Sequence, residues 1–150
     1  MTVISTFPTI RNVLYTGDNI QSFKAGDTIK AGMVLCFAAS GESFTVIPSI
    51  AGAGTAPIGV ALYDAVSGGY LAVAMDGCMV YVARPDITGG VACDAGDYAI
   101  PDAAAVGGCC SGVAPGALAT SPVGRWMEDV AATTATGRIL IQCSAGRGGT

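Results

Sequence analysis

From Lys24 onward the chain alternates short apolar runs with turn residues, which is the pattern of an all-β fold, a small barrel or sandwich. The expected strands are Met33–Ala38, Ser43–Pro48, Ile58–Tyr63, Tyr70–Met75, Cys78–Val82, Val123–Met127 and Arg138–Cys143. Between two of them stands Asp76-Gly77, one of the few dipeptides that accept positive φ at both centres of a type I′ turn, so a hairpin is expected there. Residues 1–24 show no clear periodicity and are punctuated by Pro8 and by Thr16-Gly17-Asp18-Asn19, which predicts an extended N-terminal arm. An all-β domain over 25–143 and a flexible tail over 144–150 complete the expected organisation. The Ala/Gly/Cys stretch from Pro101 to Pro115 predicts no element beyond a single helical turn at Asp102-Ala103-Ala104-Ala105. With 22 Gly and 7 Pro, little helix is expected.

The runs repeat. Pro57-Ile58-Gly59-Val60-Ala61-Leu62-Tyr63-Asp64 and Pro122-Val123-Gly124-Arg125-Trp126-Met127-Glu128-Asp129 lie 65 positions apart (122 minus 57) and share a Pro, a β-branched residue, a Gly, a mostly apolar run and an Asp. Upstream, Ile29-Lys30-Ala31-Gly32-Met33-Val34-Leu35 is echoed by Cys93-Asp94-Ala95-Gly96-Asp97-Tyr98-Ala99, with Gly32 and Gly96 offset by 64 (96 minus 32). Two related β-units are therefore expected. Nothing in the repeated pieces is reactive, so the repeat describes a scaffold.

Composition adds a question of coverage. The 150 residues suit one domain, yet 51% are hydrophobic and only 12% charged, against about 25% charged in an average soluble domain. So few charges cover a monomer poorly, which suggests burial against copies of itself or a partner. Membrane insertion does not explain the hydropathy, because Tyr70 to Ala83, the longest apolar stretch, is interrupted by Asp76-Gly77 and falls short of the roughly 20 residues that a spanning helix needs. The first eight residues, Met1 to Pro8, show no basic or apolar leader pattern, so a product made in the cytoplasm is expected. Net charge is −4, and no Lys or Arg lies between Lys30 and Arg84, which argues against nucleic-acid binding.

Candidate chemistry is sparse. The chain has no His, and its six cysteines, at 36, 78, 93, 109, 110 and 143, form no Cys-x-x-Cys pair, so the usual zinc spacings are absent. Cys36, Cys78 and Cys143 sit inside apolar runs and read as small buried hydrophobes. The alternative is that some cysteines pair after assembly into a particle released to oxidising surroundings. Glu128 and Asp129, adjacent on a strand, point to opposite faces and read as a solvated strand end. Asp94, Asp97 and Asp102 could supply oxygens to a cation, but Asp beside Gly more commonly makes a turn. Gly52-Ala53-Gly54-Thr55-Ala56-Pro57 starts like a dinucleotide loop and fails at Pro57. No proton-transfer set emerges, so neither an enzyme nor a cofactor is expected. Trp126, the only Trp, stands where the first repeat has Ala61 and is expected to anchor a core or an interface.

One style of motif recurs through Lys24-Ala25-Gly26-Asp27-Thr28-Ile29-Lys30-Ala31-Gly32-Met33-Val34, then Pro57-Ile58-Gly59-Val60-Ala61, then Gly68-Gly69-Tyr70-Leu71-Ala72-Val73-Ala74-Met75-Asp76-Gly77. In these motifs the chain resembles the small capsid cement, or decoration, proteins of tailed phages. A second round follows at Val123-Gly124 and Arg138-Ile139-Leu140-Ile141, so the resemblance runs from about residue 24 to 143. It implies a non-enzymatic virion protein that binds the outside of the expanded head, commonly as trimers, and ties major capsid subunits together. The expected partners are thus the major capsid protein and two further copies of the chain. The expected contact residues are Phe7, Ile10, Val13, Leu14 and Tyr15 of the arm, which would reach over a neighbouring subunit, together with Trp126. A head-tail connector or spike base uses the same scaffold and is the near alternative. A carbohydrate-binding module would want clustered aromatics, which Tyr63, Tyr70, Tyr81 and Trp126 supply only sparsely.

Overall fold

A computed structural model describes residues 7, 9–10, 12–38, 43–49, 56–84, 92–102, 106–111 and 122–143. Eleven strands run in order through them: β1 (Leu14–Thr16), β2 (Ile20–Ala25), β3 (Val34–Phe37), β4 (Thr45–Pro48), β5 (Pro57–Ala61), β6 (Tyr70–Ala74), β7 (Met79–Ala83), β8 (Tyr98–Pro101), β9 (Cys109–Ser111), β10 (Gly124–Trp126) and β11 (Thr136–Ile141). The protein is all-β, as the apolar alternation predicts, and every expected strand is present within a few residues of its expected bounds. No helix among the described residues is long and apolar enough to cross a membrane.

The repeat is real in three dimensions. Strands β2-β4-β3-β5-β6 close a barrel, and β1-β7-β11-β10-β8-β9 form a six-stranded sheet. Around the barrel the pairings run β2-β6-β5-β3-β4, and the sheet repeats that order as β7-β11-β10-β8-β9. Local contacts repeat with it. Asp64 accepts a hydrogen bond from the Ala31 N–H at 2.8 Å, and Asp129 accepts one from the Ala95 N–H at 2.9 Å. Gly32 N–H donates to the Ala61 carbonyl at 2.8 Å, as Gly96 N–H does to that of Trp126 at 2.8 Å. Both glycines hold positive φ, 88° and 96°, a conformation that side chains with a Cβ avoid. The isolated bridges Ile29–Ala65 and Cys93–Val130 close the two turns identically.

Three expectations are corrected. Residues 12–24 do not stand apart from the domain as an arm, because β2 completes the barrel through a parallel pair with β4 (Lys24↔Thr45, Ala25↔Val46) and an antiparallel pair with β6. Only Phe23 and Ala25 of β2 turn inward, so its apolar content is too low for the strand to stand out in the chain. Second, β6 and β7 do not pair, and Asp76-Gly77 is the crossover between the units. Only Gly77 holds positive φ there, at 94°, which is not the type I′ arrangement. The Asp76 carboxylate is instead used at long range, accepting from the Cys143 N–H at 2.8 Å. Third, β8 and β9 lie in or beside the stretch where no strand was expected; they are short and are supported by the sheet they join. Residues 103–105 of the expected helical turn, residues 52–55 of the dinucleotide-like stretch 52–57 and the tail at 144–150 lie outside the described residues.

Two cores follow. Phe23, Ala25, Ile29, Leu35, Val46, Ala61, Leu71 and Val73 fill the barrel. Val34, Val60 and Ala74 point outward from that barrel into a second, larger cluster with Val80, Val82, Val123, Trp126, Ile139 and Ile141. Because strand neighbours alternate faces, the barrel wall serves both cores and welds the two units. The seam is also hydrogen-bonded, by Val34 N–H to the Gly107 carbonyl at 2.9 Å and Gly107 N–H to the Ser49 carbonyl at 2.7 Å.

Candidate interaction surface

Duplicated units provide an internal comparison, since two copies of one scaffold need the same interior but not the same exterior. On the outer face of β6 stand Tyr70, Ala72 and Ala74, while Leu71 and Val73 point into the barrel. In register their counterparts on β11 are Thr136, Arg138 and Leu140, because β5 and β10 pair with these strands in the same way. Past the ends of β5 and β10, Leu62 and Tyr63 correspond to Met127 and Glu128.

The second unit closes this face with charge. Glu128 accepts from the Arg138 guanidinium at 2.9 and 3.1 Å and from the Arg138 backbone N–H at 3.0 Å. The same guanidinium lies 5.0 Å from the ring centre of Tyr15 and 5.7 Å from that of Tyr81, and the two rings meet edge to face at 6.3 Å. Arg138 holds the Glu128 carboxyl below the usual glutamate range, chiefly through the side-chain hydrogen bond. Glu128 is therefore not the solvated strand end that its position beside Asp129 suggested.

The first unit leaves the same face open. Ala72 ends at its Cβ, and a groove of about 270 Å³ lies beside it, walled by Val13, Leu14, Ile20, Leu62 and Tyr63. Tyr63 is 65% exposed, and Tyr70, further along β6, is 75% exposed. Tyr70 pairs across to Lys24, whose N–H donates to the Phe44 carbonyl at 2.8 Å; Phe44 is 73% exposed. Phe44 also holds φ 56°, a left-handed conformation that costs a residue with a Cβ roughly 1–2 kcal/mol. At roughly 200 Å² per aromatic side chain, Phe44, Tyr63 and Tyr70 together leave on the order of 400 Å² of aromatic surface open to solvent.

The expected contact residues are distributed unevenly. Tyr15 is exposed, Phe7, Ile10 and Leu14 are half-buried, and Val13 is buried. Val13 accepts from the Tyr81 N–H at 2.7 Å, and Leu14 pairs with Val80, so these residues strap the seam within their own chain. Trp126 is fully buried under Arg84, whose guanidinium sits 6.0 Å from the ring centre. Val13 and Trp126 are both enclosed by the packing of their own chain. The aromatic positions Phe44, Tyr63 and Tyr70 were missed as a set, although the contrast of Tyr63 with Glu128 and Ala72 with Arg138 was already present in the repeat.

No group of three or more His, Cys, Asp or Glu side chains placed to hold a metal occurs among the described residues. Asp97 accepts from the Asp94 N–H at 3.1 Å across the Ala95-Gly96 turn, which is the turn-forming role. Cys36, Cys78, Cys93 and Cys109 are buried, and burial pushes the Cys36 thiol upward.

No family model matches the chain, and no curated protein matches it. Among solved structures, the N base of head fiber gp8.5 in bacteriophage phi29 superposes with a TM-score of 0.55 at 19% identity, covering 83% of this chain and 93% of that one. At this identity the likeness establishes a shared fold.

Proposed function

We propose that the protein is a structural component of a phage virion, a decoration protein seated on the outer surface of the expanded head, where it binds the major capsid protein and stabilises contacts between capsid subunits. The observation that carries this reading is the fold shared with the base of a head fiber over nearly all of that base. Exposed Phe44, Tyr63 and Tyr70 support it, because such side chains in a chain with only 12% charged residues suit a protein that works while covered. Single contacts of about 800 Å² per partner suffice for specificity, and repetition over a lattice or within a trimer multiplies modest affinities. The role needs no catalytic group, cofactor, nucleic acid or membrane.

Cosedimentation with undecorated expanded heads from its own source, counted as copies per shell, tests the proposal. Saturable binding at many equivalent sites on expanded heads, with none on compact precursor shells, is the expected result. Absence of binding by the folded chain would refute it. The same fold likeness favours a second version, in which the protein is the base of a head-bound spike; binding at few, unique positions would select that version. The mass of the purified chain in solution decides whether the trimer precedes docking.

A further inference from the structure

The two units differ most pointedly at one place, and the second unit shows what that place accommodates. Ala72 and Arg138 are repeat counterparts on the outer faces of β6 and β11, and Tyr63 and Glu128 are counterparts at the ends of β5 and β10. Where Arg138 lays its guanidinium between Glu128 and the rings of Tyr15 and Tyr81, the first unit has the groove beside Ala72.

We propose that this groove is a socket for an arginine side chain presented by a protein of the phage head. The inference rests on the function proposed above and names the chemistry of its docking contact. The groove's 270 Å³ falls below the roughly 300–1,000 Å³ of small-molecule pockets but admits one long side chain. Val13, Leu14, Ile20 and Leu62 form aliphatic walls of the kind that the three-carbon stem of arginine covers well, while Tyr63 offers an exposed ring for the planar guanidinium. Asn12 at the lining carries an amide oxygen that can accept from it. None of the lining side chains is charged, the chain's net charge is −4, and Lys30 is paired with Asp64, the chain neighbour of Tyr63, at 3.9 Å. Lysine fits less well, because its compact, strongly hydrated ammonium neither stacks nor forks. Arginine is also among the residue types that dominate interface energies when seated in a pocket.

The test copies the second unit's own solution. Ala72→Arg with Tyr63→Glu places a tethered guanidinium and its carboxylate in the first unit, on a backbone arrangement that already accepts both. The doubly substituted full chain should keep the wild-type melting temperature and lose roughly thirtyfold in affinity for expanded heads, the effect of one hot-spot anchor. In parallel, the wild-type chain labelled with nitrogen-15 is titrated with N-acetyl-arginine amide, N-acetyl-lysine amide and N-acetyl-leucine amide. The arginine amide should shift the Leu14, Tyr63 and Ala72 resonances at the lowest concentration, and Tyr63→Leu should abolish that preference. Equal head binding by wild-type and doubly substituted chains, or leucine amide shifting these resonances as readily as arginine amide, would overturn the inference. If the wild-type chain ignores heads while the arginine preference persists, the socket stands and the head association is what fails.

Discussion

Gly137 lies directly against the indole of Trp126: a Cβ built on Gly137 would sit 2.7 Å from the ring and 2.7 Å from Val130. In the first unit the counterpart positions are Leu71 and Ala61, both inside the barrel. The large residue has moved from one strand of the pair to the other, so each core keeps its filling while the side chains that provide it exchange strands.

This exchange predicts strong coupling. Trp126→Ala should cost about 3–5 kcal/mol, and Gly137→Leu about 1–3 kcal/mol from overpacking. The double variant, which restores the first unit's arrangement, should be more stable than the sum of the two losses by about 0.5–3 kcal/mol. Urea unfolding of the four chains measures the cycle, and simple additivity would contradict the exchange.

A second pair of glycines holds strands at close range. A Cβ on Gly59 would press on the carbonyl oxygen of Ala74, and one on Gly124 on that of Leu140, the counterpart contact. Gly59→Ala and Gly124→Ala should each lower stability by about 1–3 kcal/mol, since a backbone oxygen cannot rotate away as a side chain can. Matching losses in thermal unfolding are expected from the repeat.

Acid should weaken the ion pair between Glu128 and Arg138. The folded-state pKa of Glu128 is depressed by Arg138, so its contribution is present above the ordinary glutamate value of 4.5 and is lost as pH falls through the lower folded value. The pair is partly exposed, which keeps its effect to at most about 1 kcal/mol. Glu128→Gln should therefore be less stable than wild type at neutral pH, with the difference closing in that acid window. Thermal midpoints recorded against pH check the sign.

Truncation tests the strap formed by β1 and the residues before it. Removing residues 1–16 uncovers the β7 edge and takes away buried Val13, so it should lower stability and promote association through the exposed strand. Removing residues 1–25 deletes a barrel strand and should abolish folding. Size-exclusion chromatography and circular dichroism distinguish the two outcomes, and a folded monomer lacking residues 1–25 would contradict the topology.

The all-β class, the duplication and the location of seven strands are local properties, written in apolar alternation and turn residues that depend on neighbours in the chain. The equivalence of Asp64 with Asp129 and of Gly59 with Gly124 was visible as spacing before any contact was known. Pairing partners are not local. That β2 closes the barrel against β4, and that Asp76-Gly77 carries the chain between units instead of making a hairpin, depends on which strand edges meet in space. Burial is equally non-local. Trp126 and Tyr63 both sit in matching apolar runs, yet the packing of the second unit encloses one, and the small side chain of Ala72 leaves a groove beside the other. Alternation along a strand specifies two faces, but only the meeting of strands from distant parts of the chain decides which of those faces is covered.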